Sequence, residues 1–227
     1  MDMDYYQHNA KSFFETTVHV DMTPLYQRFL PLLPPAGRIL DAGCGAGRDL
    51  RAFAELGYRV TAFDASPALV ALAEDYAGQP VFRARFQDID WRVSFDGVWA
   101  CASLLHLPAA ELPDALGRLA AALVPGGVMY ASFKYGHGER EDQGRHFTDL
   151  DEAGLSELLD RVANLHPLDV WITADQRPGR VNERWLNTLL RRGESAPGCV
   201  CARGCLKLES AVTATHEPRP ELQESHC

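Results

Sequence analysis

No apolar stretch in this chain of 227 residues approaches the roughly 20 that a membrane-spanning helix needs, so a membrane is not an expected partner. Positive charge is also short: 22 Lys and Arg stand against 31 Asp and Glu, a formal net charge of −9. With a sequence pI near 5.3, a broad grip on a polyphosphate backbone is not expected, which argues against nucleic acid as a partner. The opening Met1-Asp-Met-Asp-Tyr-Tyr lacks a basic-then-apolar leader, so the cytoplasm is the expected location. Cysteine is present, but not as the framework of a small secreted domain. Cys44 and Cys101 lie far apart in apolar surroundings, while Cys199, Cys201, Cys205 and Cys227 fall near the C-terminal end. The spacing from Cys199 to Cys205 has no nearby His or Cys to complete a finger-like set, so no metal is expected. What is present, 46% hydrophobic and 23% charged residues, suffices for one full core.

The chain is organised around residues 38 to 47, Arg-Ile-Leu-Asp-Ala-Gly-Cys-Gly-Ala-Gly, a short apolar strand that runs into three alternating glycines. Gly43, Gly45 and Gly47 allow a sharp turn from strand to helix and let a ligand lie against bare backbone. A helix is expected from Arg48 to Leu56, with Leu50, Phe53, Ala54 and Leu56 at helical spacing and Gly57 closing it. A second strand, Tyr58 to Phe63, delivers Asp64, 17 residues beyond Gly47, where a carboxylate can accept both hydroxyls of a ribose.

Asp41-Ala-Gly-Cys-Gly-Ala-Gly47, with its acidic residue two before the first glycine, resembles the first motif of class I S-adenosylmethionine-dependent methyltransferases. It is less similar to a dinucleotide fingerprint, G-x-G-x-x-G, whose glycines face a pyrophosphate. The likeness covers roughly residues 36 to 190. It implies a doubly wound α/β fold, Rossmann-like, with a seven-stranded, mostly parallel sheet and an antiparallel last strand. It also implies S-adenosylmethionine as cofactor. Asp41, Gly43, Cys44, Gly45 and Gly47 stand at its cofactor positions, as do Asp64 with Ala65 after the second strand.

Residues 1 to 35 hold Tyr5, Tyr6, His8, Asn9, Phe13 and Phe14 close together, which reads either as a helix packed on the sheet or as a lid over a pocket. The pattern Tyr-Tyr-x-x-Asn-Ala-x-x-Phe-Phe is similar to bacterial methyltransferases of the tellurite-resistance type, which implies substrate contacts at Tyr5, Asn9 and Phe13. A helix follows over 22 to 33 with Thr23 as cap and Pro24 at its first position. Ser66-Pro67 opens another, ended by Gly78. Residues 81 to 86 alternate as a strand and deliver Asp88 and Ile89, which the resemblance places at the adenine. The apolar run 95 to 104 suits a central strand, with Ala100, Cys101 and Ser103 along the methionine part of the cofactor and His106 just past its end.

Ala109 to Val124 shows one clean apolar helix face, and Leu123-Val-Pro-Gly-Gly127 reads as a turn before a strand from Val128 to Phe133. Residues 134 to 147 are polar and glycine-rich and read as a loop, with Lys134, Tyr135, Arg140, Arg145 and His146 able to meet a polar or anionic substrate. Thr148 is expected to cap a helix reaching Val162. Strands follow at 168–173 and 184–190, and Arg177 and Arg180 in their connection are candidate substrate contacts. The expected domains are thus a helical lid over 1–35, a methyltransferase domain over 36–192 and a disordered tail over 193–227.

The implied chemistry is in-line displacement onto a small-molecule acceptor, with His106, Tyr6 and His8 as candidates for removing a proton. An RNA methyltransferase, a non-catalytic cofactor-binding regulator and an NAD-dependent oxidoreductase are the alternatives; a monomer or homodimer is expected.

Overall fold

The structure, a computed structural model, describes residues 3–177, 179–180 and 182–194, and the side chains among these from residue 5 onward. The expected tail therefore falls, from residue 195, outside the described residues, as do the four cysteines it carries. The most apolar segments become the centre of one sheet. Strand β1 (Arg38–Ala42) pairs in parallel with β2 (Arg59–Asp64) on one side and β4 (Phe95–Ala100) on the other, and β3 (Phe82–Arg83) lies outside β2. Strand β5 (Leu123–Lys134) runs parallel to β4, β9 (Arg184–Arg192) runs antiparallel to β5, and β8 (Leu165–Ala174) closes the edge against β9. The order β3-β2-β1-β4-β5-β9-β8 is the expected seven-stranded sheet with its last strand antiparallel.

Helices cover both faces, as the both-sides-apolar central strands require. They are α1 (Met3–Thr17), α2 (Thr23–Phe29), α3 (Arg48–Glu55), α4 (Pro67–Ala77), α5 (Leu112–Ala122) and α6 (Glu152–Leu159). One face buries Phe63, Phe86, Leu104, Leu116 and Leu119. The other buries Phe29, Phe53, Trp99 and Tyr130, with the last two rings stacked at 4.0 Å. No described helix is long and apolar enough to cross a membrane.

Several local expectations are corrected. The strand expected over 81–86 shrinks to two residues, because the Asp88 carboxylate accepts the Arg85 N–H at 3.1 Å and winds Phe86–Asp88 into a 3-10 turn. Thr23 does not cap α2; Asp21 accepts its N–H at 2.9 Å and Met22 holds the cap position. That helix stops at Phe29, and Pro31, which has no N–H for an α-helical bond, sits in a 3-10 turn. Leu123–Gly127 is not a separate turn but a bulge inside β5, where the register passes from Phe95↔Leu123 to Gly97↔Val128.

Residues 134–147 are not a loop throughout. They enter an antiparallel hairpin, β6 (Gly138–Asp142) with β7 (Arg145–Asp149), anchored by Thr148 Oγ1 donating to Leu107 O at 2.7 Å. Thr148 is thus a strand residue, and Asp151 caps α6 by accepting Gly154 N–H at 2.8 Å.

Candidate active site

The sheet order reverses between β1 and β4, and the crevice at their carboxyl ends is where such sheets bind ligands. The turn after β1 is clamped to β2: Gly43 and Cys44 donate to Phe63 O at 2.9 and 3.0 Å, and Gly45 N–H donates to Asp64 Oδ2 at 2.9 Å. Gly43 and Gly45 have φ of +73° and +55°, which favours glycine on backbone grounds alone. Space gives the second reason, since a Cβ at Gly43 would lie 2.6 Å from Ser103 Cβ and one at Gly45 would lie 3.1 Å from Phe13 Cε1.

Two carboxylates sit beneath this turn. Asp64 also accepts Ser66 N–H at 2.9 Å, yet burial still raises its pKa above the usual carboxylate range. Asp41 is 2% exposed, and its Oδ2 has no hydrogen-bond partner among the described residues. Burial, then the nearby Asp49 charge, push its pKa well up. A buried carboxylate oxygen left unpaired is costly, and a cationic group brought close would relieve it. Asp49 is the better satisfied neighbour: Trp99 Nε1 donates to it at 2.8 Å, Arg48 at 2.7 and 2.8 Å, and the Tyr26 hydroxyl donates as well.

A cavity of about 510 Å³ runs from Gly43–Ala46 past Cys101 and Ala102 to the hairpin and the β8–β9 connection. In its wall the Tyr6 hydroxyl lies 2.8 Å from His106 Nε2, and His106 Nδ1 lies 2.8 Å from the His146 carbonyl oxygen. A carbonyl only accepts, so Nδ1 carries the ring proton, Nε2 is the acceptor, and Tyr6 donates to it. Burial lowers the His106 pKa to about 4 and raises that of Tyr6 to about 12, the latter against the pull of the Arg145 charge.

Not all expected site residues converge on this cavity. Phe13 lines it and faces Gly45; Cys101 lines it with its thiol pushed up to about 12 by burial. Ser103 donates to Ala42 O at 2.7 Å and borders a smaller cavity of about 30 Å³ with Asp64, Ala65, Tyr6 and Phe13. Tyr5 lies under the Arg145 guanidinium, 4.7 Å from ring to charge. His8 and Asn9 are exposed on α1 and border neither cavity. Ala100 and Ile89 are core residues. Asp88 is held to about 2 by its hydrogen bonds with Arg85 and also lies off both cavities.

Lys134, Arg177 and Arg180 do reach the large cavity, in a network that sequence alone did not reveal. Lys134 pairs with Asp175 and Glu183, Arg177 with Asp175 at 2.5 Å, and Arg180 with Glu183 at 3.1 Å. Burial works against ionisation of Asp175, but the Arg177 and Trp185 hydrogen bonds hold its carboxyl below the usual range. Also missed were Arg48 and Asp49, although an acidic residue on the buried face of α3 breaks its apolar pattern and could have drawn notice.

Residues 39–127 match the family model described as Methyltransferase domain. The matched stretch runs from β1 into β5, in a sheet with the order of the Rossmann-like methyltransferase fold. Over 111 residues the chain is 35% identical to a ubiquinone biosynthesis O-methyltransferase of Xanthomonas campestris pv. campestris, covering 43% of this chain and 43% of that one. The chain thus matches less than half the length of this relative. Among solved structures, it is similar to the 1,6-didemethyltoxoflavin-N1-methyltransferase of Burkholderia thailandensis, which holds 1,6-didemethyltoxoflavin and S-adenosylhomocysteine. That match has a TM-score of 0.68 and 25% identity and covers 85% of this chain and 86% of the other. A methyltransferase from Mesorhizobium loti shares the fold at TM-score 0.62 and 19% identity, over 76% of this chain and 100% of that one.

Proposed function

We propose that the chain is an S-adenosylmethionine-dependent methyltransferase that transfers a methyl group to a protic nucleophile on a small molecule. One cavity opens both onto the backbone of Gly43–Ala46 and onto the Tyr6–His106 pair, and this connection carries the assignment. In-line displacement requires both reactants in one water-poor space.

The residues present fit the cofactor. The Asp64 carboxylate at the end of β2 suits a ribose diol, the open backbone at Gly43 and Gly45 admits close approach, and unpaired Asp41 Oδ2 favours a cation near the turn. When bound, S-adenosylmethionine supplies an electrophilic sulfonium methyl group. Tyr6 then has two roles. Its oxygen accepts the proton of the acceptor's hydroxyl, thiol or N–H group while its own proton passes to His106 Nε2. His146 O holds the imidazole in the tautomer that can receive it.

Residues 1–35 serve as a lid. Tyr6 and Phe13 of α1 border the smaller cavity at Asp64, whose 30 Å³ is far below the several hundred Å³ of a ligand pocket. A nucleoside enters there only if α1 shifts, and α1 returning over it excludes water. A cytoplasmic setting and a monomeric or homodimeric state complete this reading. The likeness of α1 to the tellurite-resistance type remains an expectation of the sequence.

Isothermal titration with S-adenosylmethionine, S-adenosylhomocysteine and NADH in parallel tests the assignment. Micromolar binding of the first two alone supports it and licenses an acceptor screen by release of S-adenosylhomocysteine. Binding of NADH alone, or of none of the three, overturns it.

A further inference from the structure

The large cavity is lined by seven basic and five acidic side chains, an excess of positive charge in a chain whose formal net charge is −9. Most of the basic groups are already matched. Arg48, Lys134, Arg140, Arg177 and Arg180 each hold a carboxylate, and Arg184 is exposed over the Tyr135 ring at 4.4 Å.

Arg145 differs from the five paired cations, and unlike Arg184 it is part-buried. Among the described residues it pairs with no carboxylate, and its Nε is buried without a hydrogen-bond acceptor. Its guanidinium lies over the Tyr5 ring at 4.7 Å and the Phe147 ring at 5.0 Å, and the Phe147 ring is 4.9 Å from that of His106. Aromatic faces orient a guanidinium but accept none of its in-plane N–H bonds, and the Tyr6 hydroxyl that it also meets is neutral, so the charge itself has no anion to match it.

We propose that Arg145 binds an anionic group of the methyl acceptor, placed next to the nucleophile that Tyr6 relieves of its proton. The acceptor is thereby a planar-oxyanion-bearing small molecule, a carboxylate or an acidic enolate, with its reacting group adjacent to the charge. This rests on the methyltransferase reading for the identity of the nucleophile, and on Arg145 alone for the charge. Neutral analogues are disfavoured because they leave the guanidinium without an acceptor.

The probes are 2-hydroxybenzoate and its uncharged counterpart 2-hydroxybenzamide, titrated calorimetrically into the full chain saturated with S-adenosylhomocysteine. The carboxylate is expected to bind about tenfold or more tighter than the amide. In Arg145→Met, which keeps an apolar stem against Tyr5 and Phe147, that preference should fall to about twofold or less; Arg145→Lys should retain part of it. Affinity for S-adenosylhomocysteine stays within about twofold of wild type in both variants, which also reports that they fold.

Equal affinity for the two probes, no carboxylate binding up to about 20 mM, or an unchanged preference in Arg145→Met each overturns the proposal. A tenfold loss of S-adenosylhomocysteine affinity in Arg145→Met also overturns it, by assigning Arg145 to the cofactor's carboxylate. Should wild type bind no S-adenosylhomocysteine, the cofactor assignment fails, and the same two probes titrated into the ligand-free chain still decide the role of Arg145.

Discussion

Tyr6→Phe separates chemistry from architecture at the centre of the site. Phenylalanine keeps the ring contacts, with centroids 5.2 Å from Tyr5, 5.3 Å from Phe13 and 5.5 Å from His106, and removes only the hydroxyl 2.8 Å from His106 Nε2. The loss leaves a buried imidazole lone pair without a donor, which costs about 1–3 kcal/mol. For a domain of this size that lowers Tm by about 3–10 °C. If the proton leaves through Tyr6, kcat falls by about 100-fold or more, the scale of one acid–base group. Affinity for S-adenosylhomocysteine stays within about twofold. The assays are release of S-adenosylhomocysteine with an acceptor found by screening, a thermal melt and a titration. A variant that melts earlier yet keeps kcat within about threefold would refute the proton route and leave the bond a purely structural one. A large loss of cofactor affinity would instead move Tyr6 to the cofactor side.

Acid stability tests the environment of His106. Its pKa is lowered from 6.5 to about 4 by burial, so below pH 6.5 the unfolded chain takes up a proton that the folded chain refuses. Stability from this group is full at neutral pH and lost as pH falls, by up to about 3 kcal/mol once pH 4 is reached. Asp41 and Asp64, raised by burial, act in the opposite direction over part of that range, so the comparison is with His106→Gln. The variant's Tm should fall less than that of wild type between pH 7 and 4.5, and parallel curves would contradict a neutral buried imidazole. Asp64→Ala strips the acceptor from Gly45 and Ser66 N–H and should weaken S-adenosylhomocysteine binding by about tenfold or more; unchanged binding sinks the cofactor assignment. Deleting residues 1–20 should abolish turnover while cofactor affinity holds within a few-fold, and survival of both would make α1 mere packing.

The glycine turn proposed to hold the cofactor was legible because its geometry is written locally. A strand, three glycines at alternating positions and a helix occupy residues 38–56, and the acid that closes the turn follows on the very next strand. Gly43 and Gly45 take left-handed conformations in the sharp turn the spacing called for, while Asp64, expected at a ribose, accepts the Gly45 and Ser66 N–H groups. The strand order followed equally, since apolar runs at 38–42, 95–100 and 128–133 fit only the centre of a sheet covered on both faces. Adenine-side Asp88 was a weaker inference because one short acidic turn resembles another, and here the carboxylate turns back to Arg85.

The proposed acceptor half is assembled from segments remote in sequence, and its charges cannot be read without knowing who pairs with whom. Tyr6 and His106 are 100 residues apart, and Arg145 comes to them on a hairpin whose first strand is wholly exposed and polar. Such a strand has no apolar alternation to announce it; ion pairs such as Arg140–Asp149 at 2.6 Å and the Thr148–Leu107 bond hold it in place. Lys134, Arg177 and Arg180 looked like the cations offered to a substrate, but Asp175 and Glu183 match them within the wall. A paired cation gains little from a further anion, because an arriving oxyanion must compete with a carboxylate already in place. On the proposal made above, selection for acceptor charge falls to a part-buried guanidinium with no such competitor, Arg145, which the sequence offered beside cations that turn out to be paired.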